Sequence, residues 1–437
     1  MKNKILILLT GILSALILCS CFSDPNKVSQ SDSLINDVKV NYSEGEQNYT
    51  YSEDSTVMPV SYNEFQEGAV DFSFNLLKSS YKANSNTTVS PASAYLQMGL
   101  FANAGRKAAK NEILEELGNK MTVETLNQST QYFQTRLDYL GDKLGENFAL
   151  NMSNDLWCND NLTVKTEFLK TNAKYFDIDM YRFLFTEDTA LNKINNGTLD
   201  YTKADIKPFD KIDENAYMYA TSITQIKDNW LEDYAERNIS KDTFKGTNGD
   251  TQVSYFASSE FYLKDNDSQG FIKSFKNTPL KLCVLMPNEN VSIEKYVNSL
   301  NYEKFYGLID SMDAVKRCNA YLPGFSVQAS MNITSALKNM GINTVFSKDA
   351  ILSNMTQTEN VYLNEVVQGI DLTINDKGIS STEIADKTTS SAVLDNDTTV
   401  KVNRPFVFAV IDNESNIPIY LGVVENIWLR KRNFQEN

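Results

Sequence analysis

Not one residue of this 437-residue chain is a histidine. Imidazole is the usual proton carrier near neutral pH and the commonest metal ligand. Its absence removes Ser–His catalysis, Cys–His catalysis and His-ligated metal chemistry together. Cysteine is scarce as well: Cys19, Cys21, Cys158, Cys283 and Cys318 are the whole set, and no two of the last three stand at a C-x-x-C spacing. Three cysteines in so long a chain make no disulfide framework. Cys283, inside the apolar run Leu282-Cys283-Val284-Leu285-Met286, reads as a small buried hydrophobe. Positive charge is in deficit, with 41 Lys and Arg against 56 Asp and Glu and a net charge of −15. Phosphate binding needs clustered Lys and Arg, so a nucleic-acid partner is excluded. S-x-x-K occurs at Ser79-Ser80-Tyr81-Lys82 and Ser335-Ala336-Leu337-Lys338, yet Lys245-Gly246-Thr247 is not K-T-G and precedes the second match. A Ser–Lys hydrolase therefore has no ordered set of parts.

What the chain does have is apolar mass. Apolar residues make up 42% and aromatics 11%, including 22 Tyr and 23 Phe, enough for a sizeable core. Lys2 and Lys4 precede a short apolar run from Ile5 to Leu18, the pattern of an export signal over residues 1–20. The run ends Leu18-Cys19-Ser20-Cys21, which resembles a bacterial lipobox with the small Ser20 before Cys21. That resemblance implies a lipid on Cys21 and a domain held on the outer side of a membrane. Residues 21–60 are rich in Ser, Asn, Asp, Glu and Gln without a sustained period of 3.6 or 2, which predicts a flexible tether.

From Ser61 onward the pattern changes. Phe65, Ala69, Phe72 and Leu76 form one stripe of a helix. In Asn86-Thr87-Thr88-Val89-Ser90-Pro91-Ala92-Ser93 a turn leads into a second helix, with Ser90 or Ser93 as its cap and Pro91 in its first turn. Leu280 to Pro287 reads as a core strand, Ile333 to Met340 as a helix closed by Gly341, and Val361 to Ile374 as another strand. Phe406 to Ile411 and Ile419 to Val424, joined by the turn Asn413–Asn416, make a buried hairpin.

Several of these segments resemble the serpins. The Asn86-x-x-x-Ser90-Pro91-x-Ser93 segment, the strand Ile223 to Trp230 with Phe244 beyond it, Tyr321-Leu322-Pro323-Gly324-Phe325, and Arg404-Pro405-Phe406 before the last hairpin stand in the family's order. The resemblance covers residues 61–437. It implies an α+β fold: a large central mixed sheet, two further sheets and eight to nine helices. It also implies a monomer without cofactor, metal or catalytic residues of its own. Ser90, Ser93, Ser222, Trp230 and Gln368 fall where the family guards the opening of its central sheet. Ser222 replaces the usual asparagine there, and Gln368 a frequent histidine.

Ile379 to Asn403 is rich in Ser, Thr and Asp, and reads by itself as an exposed, protease-sensitive loop. Asp376 to Arg404 resembles the serpin reactive-centre loop, which a protease attacks as substrate and which then adds to the central sheet as a strand. Counting from Asp376 as the hinge acid puts the scissile bond at Ala392-Val393, and counting back from Pro405 puts it at Leu394-Asp395. Either choice implies an elastase-, subtilisin- or chymotrypsin-like target, a serine or cysteine endopeptidase, over a trypsin-like one. Strand insertion has a period of two, and the family register turns Ile379, Ser381, Glu383, Ala385, Lys387 and Thr389 inward. Gly378 suits the hinge, whereas Ile379 is bulky and an unpartnered buried Glu383 would cost several kcal/mol. The chain then reads as an inhibitor, with a surface or binding protein whose loop is cut without trapping the protease as the alternative.

Overall fold

A computed structural model describes residues 24–36, 38, 48–51, 56–118, 121–145, 148–199, 206–312, 316–380 and 395–427. The stripe Phe65, Ala69, Phe72 and Leu76 lies buried on the first helix, α1 (Tyr62–Ser80). The strand β1 (Thr87–Val89) leads into α2 (Pro91–Ala104), which is buried nearly all round and so runs through the core instead of over it. Pro91 opens α2 without losing a helical hydrogen bond. Neither Ser90 nor Ser93 caps the helix with its side chain, contrary to the sequence pattern, because both hydroxyls are drawn into a cluster under the sheet. The helices α3 (Ala108–Gly118) and α4 (Val123–Asp142) follow, α4 opening on a capping box between Thr122 and Thr125.

The next elements build half of a six-stranded sheet. They are β2 (Ala149–Asn159), α5 (Thr166–Tyr175), β3 (Asp179–Phe183), α6 (Ala190–Leu199) and β4 (Met218–Asn229). Then come β5 (Ile239–Gly246), β6 (Gly249–Lys264), β7 (Ser268–Ser274), β8 (Leu280–Pro287), α7 (Ile293–Ser299), α8 (Tyr302–Asp310), β9 (Arg317–Pro323), β10 (Phe325–Asn332) and α9 (Thr334–Met340). The chain ends with β11 (Glu365–Ile374), β12 (Gly378–Ser380), β13 (Thr399–Lys401), β14 (Phe406–Asp412) and β15 (Pro418–Val424). Nine helices are thus present among the described residues, and the fold is α+β.

The six-stranded sheet has the order β10-β11-β12-β4-β2-β3, mixed in direction. The other strands form one continuous hydrogen-bonded path, β1-β15-β14-β8-β7-β6-β9-β13, with β5 on β6. Two separate further sheets were expected. They merge because β6 is 16 residues long, pairing with β5 over its first half, with β9 across its middle and with β7 at its far end.

The expected free tether is docked along part of its length. The Leu34 N–H donates to the Met180 carbonyl and the Arg182 N–H to the Asp32 carbonyl, so this segment extends the edge of β3. Asn192 and Asn196 of α6 donate to Asn26, and Lys193 pairs with Asp32 at 3.5 Å. Val28 packs against the cluster around Trp157 and Phe183. Exposed edge strands pair with any available backbone, whatever its composition, which a reading by apolar content does not register. Among the described residues no helix is long and apolar enough to cross a membrane. Cys21 and the leader lie outside the described residues.

Candidate functional site

The loop leaves the six-stranded sheet through a turn at Asn375–Gly378. The Asn375 side-chain oxygen accepts the N–H groups of Lys377 (2.8 Å) and Gly378 (3.2 Å), and the Asn375 N–H donates to the Gly378 carbonyl (3.1 Å). Asp376 is half-buried in this turn, and the chain then folds back as β12. This short strand lies between β11 and β4: Ile379 faces Ile374 on one side and Asp228 on the other. Beyond it β11 and β4 close on each other directly, from Glu365 opposite Tyr219 to Ile370 opposite Thr224.

Ile379, expected to hinder insertion, is 0% exposed and belongs to the main apolar core. The pocket that receives it needs no small residue, because its neighbour Asp228 is tied down elsewhere. The Asp228 carboxylate accepts N–H groups of Asn229, Asn277 and Thr278. Gly378 has no such latitude. A Cβ there would run into the Asp228 carbonyl and the Asn229 Cα, at a φ of +156°. Gly378→Ala is therefore expected to expel β12 at a cost of about 2 kcal/mol. The six-residue β11–β4 seam would persist. Faster hydrogen exchange at Ile379 and Ser380, with a melting temperature lowered by only a few degrees, would be the readout.

Trp230 closes this end of the sheet. Its ring stacks on Phe275 at 4.8 Å, its Nε1 donates to the Asn375 carbonyl (2.9 Å), and its backbone N–H donates to the Lys377 carbonyl (3.0 Å). The tryptophan therefore holds the hinge turn directly.

At the hinge end of the seam lies a buried polar cluster that joins the other expected residues. Ser90 Oγ lies 2.9 Å from Thr224 Oγ1 and 3.3 Å from Ser93 Oγ, and donates to the Ile419 carbonyl (3.0 Å). Gln368 Oε1 accepts the Ser90 N–H (3.0 Å) and Nε2 donates to the Ser90 carbonyl (2.7 Å). An amide makes both bonds at any pH, which a histidine in this position would not. Ser222 faces the same side of β4, and its buried hydroxyl has no partner; nor has the Oδ1 of Asn154 opposite. The shorter side chain in place of an asparagine thus leaves the cluster one link short. Thr224, Asp228 and Asn375 were not singled out in the sequence. Their one signal is polarity at even-numbered positions of β4, which alternate with Met218, Ala220 and Ile226, or three residues before a turn glycine.

On the outer face of the same sheet, Thr221 accepts the Trp157 indole N–H (2.8 Å), meets Thr198 of α6 (3.1 Å) and donates to Asp155 (3.3 Å). Burial pushes the Asp155 carboxyl up to about 8, with the Asp179 charge adding to the shift and hydrogen bonds from Thr221 and Ser153 opposing it.

The chain that carries this short strand and buried serine cluster is matched as a whole by the comparisons with known proteins. The family model described as "Serpin (serine protease inhibitor)" matches residues 67–427. The chain belongs to the serpin family. Human neuroserpin is 20% identical over 381 residues, covering 82% of this chain and 91% of its own length. A serpin-like protein of fowlpox virus is 23% identical over 359 residues, 80% of this chain and 98% of its own. Among solved structures, the thermophilic serpin tengpin in its native state has a TM-score of 0.79 at 26% identity, covering 90% of this chain and 99% of that one. Its latent state gives 0.72 at 25% identity. Thyroxine-binding globulin in complex with thyroxine also shares the fold, with a TM-score of 0.72 at 18% identity. Serpins are in general protease inhibitors and not catalytic enzymes, and some are non-inhibitory.

The far end of the serpin loop is fastened to the nine-stranded sheet. Asn396 donates through its side chain to Ser259 and Asn319 (both 3.0 Å), and β13 pairs with β9 from Thr399 to Lys401. Asp395 is exposed just before this anchor. Ser381, Glu383, Ala392, Val393 and Leu394 lie outside the described residues.

Proposed function

We propose that this serpin is an inhibitor of serine endopeptidases, and of cysteine endopeptidases where their clefts fit, anchored outside the cytoplasm by a lipid on Cys21. Its loop, Asp376 to Arg404, offers Ala392-Val393 or Leu394-Asp395 to an elastase-, subtilisin- or chymotrypsin-like enzyme. The protease nucleophile attacks the scissile carbonyl, the peptide nitrogen leaves with a proton, and an acyl-enzyme remains. The freed loop then runs on from β12 between β11 and β4 and drags the acylated protease before water can release it. The chain supplies no catalytic group. Its contribution is a sheet that gains backbone hydrogen bonds and buried apolar area by accepting a strand.

The observation that carries this reading is β12 itself. Its backbone already pairs on both sides, and Ile379 already has a fitted place in the core. Mixing the purified protein with a panel of elastase-, subtilisin- and chymotrypsin-like enzymes is expected to give an SDS-stable complex with at least one of them. Clean loop cleavage without a complex across serine and cysteine proteases would overturn the proposal. The second reading, a non-inhibitory serpin, draws on Glu383 in an inward register and on the short Ser222 side chain. It expects the same panel to cut the loop with no gain in thermal stability.

A further inference from the structure

The two ends of the loop are held by different side chains, and both sets of contacts lead to the segment Ser258-Ser259-Glu260 of β6. At the near end Trp230 holds the turn Asn375–Gly378 through its indole and backbone N–H groups. Lys273 of β7 lies over that indole, its Nζ 5.2 Å from the ring centre and 4.5 Å from the centre of the Tyr234 ring. Lys273 is 1% exposed, so its ammonium has to be satisfied inside the protein. It donates to the Glu260 carboxylate (2.7 Å), the Glu232 carbonyl (3.2 Å) and the Ser258 hydroxyl (3.4 Å). The Ser258 hydroxyl donates to Glu260 in turn (2.6 Å).

At the far end the contacts are made from the other face of the same strand. Ser259 stands between Ser258 and Glu260, and alternation turns its side chain away from Lys273. Its Oγ accepts the Asn396 side-chain N–H (3.0 Å). Asn319 pairs with Ser259 across β9 and β6. Its Oδ1 accepts the backbone and side-chain N–H groups of Asn396 (3.2 and 3.0 Å), and its Nδ2 donates to the Asn396 carbonyl (2.9 Å). One stretch of β6 therefore carries the far anchor on one face and, through Lys273 and Trp230, the near anchor on the other.

A buried ion pair is seldom a net source of stability, since an apolar pair of similar volume does as well. What Lys273 adds is geometry: it ties the Trp230 ring and the Glu232 carbonyl to the strand that holds Asn396. We propose that Lys273 is a positioning residue that makes the two ends of the serpin loop one mechanical unit, so that a change at Asn396 is felt at the turn Asn375–Gly378. A protease that engages the chain on the Asn396 side would then loosen the end at which β12 enters the sheet. This goes beyond the inhibitory reading and rests only on its loop being held at two ends.

The test is hydrogen exchange on the uncut, full-length protein. Asn396→Ala is expected to speed exchange of the Trp230, Lys377 and Gly378 amides by about tenfold, while the amides of β14 keep their rates. On a Lys273→Met background the same substitution should change those three amides by about twofold or less. No acceleration in the otherwise wild-type chain overturns the coupling. Equal acceleration in both backgrounds means that the coupling bypasses Lys273, which overturns its role. Lys273→Met leaves Glu260 as a lone buried charge. If that variant does not fold, Lys273→Met combined with Glu260→Leu removes both charges and carries the same expectation. No protease is present in these measurements, so a failure of the inhibitory reading would show in the protease panel and not here.

Discussion

Asp155→Asn is expected to flatten the pH dependence of stability by about 5 kcal/mol between pH 4 and pH 8. Asp155 is fully buried between β2 and β4 beneath α6, and its folded-state value is pushed up to about 8 by that burial. An unfolded aspartate titrates near 3.9. Below that pH both states carry the proton and the residue contributes its full share. From there to about 8 the unfolded chain ionises while the folded one stays neutral, so stability falls as pH rises and levels off only above the folded value. Asparagine keeps the shape and cannot ionise. Other raised carboxyls, such as Asp138 at about 6, contribute equally to both proteins and cancel in the difference. Urea unfolding of the two proteins at pH 4, 6 and 8 should give free energies that diverge steadily, the variant gaining at the alkaline end. Parallel lines would mean that Asp155 is ionised in the folded state. The position matters structurally too, since Thr221 and Thr198 link this carboxyl to α6, which covers that face of the sheet.

The second large effect is expected at Arg136, where alanine should cost about 3–5 kcal/mol. Arg136 is 3% exposed on α4 and pairs with Asp412, 0% exposed at the end of β14. It also donates through Nε to Glu414 at 2.8 Å. Asp412 further accepts the N–H and the hydroxyl of Ser415, fixing the turn of the final hairpin. Without the guanidinium, the Asp412 charge would stay buried with only those two donors. Glu414→Ala supplies the contrast. Its side chain is 40% exposed, and an ion pair open to solvent is worth about 1 kcal/mol or less. Equal losses for Arg136→Ala and Glu414→Ala in denaturant unfolding would contradict this account. The same guanidinium lies 5.7 Å from the centre of the Tyr51 ring, so the segment before the domain covers this pair as well.

The parts of the fold that were legible in the sequence are those whose residues repeat. The stripe of α1 and the two apolar runs of the final hairpin state their period directly. Arg404-Pro405-Phe406 marks where the hairpin begins. The hinge strand was not legible as a strand, since Gly378-Ile379-Ser380 is too short to show alternation and its pairing depends on partners far away in the chain. The place of Ile379 in the sheet was hidden for a related reason: its neighbour Asp228 is held by a distant turn. Ser90 and Ser93 have the residue types of helix caps, and local rules assigned them so. Their hydroxyls instead serve contacts to β4 and β15 that only the tertiary fold creates. The docking of residues 24–36 was hidden because it uses main-chain groups, which every composition carries.

That docking gives the molecule a fixed polarity. Ser33 bridges Tyr181, which lies level with Trp157 and, through it, with Tyr219 near the start of β4. The hinge sits at Asn229, the other end of the same strand, and about 33 Å of extended chain separates the two. A force or partner that acts on residues 24–36 is therefore applied level with one end of β4, and one that acts on the turn Asn375–Gly378 at the other.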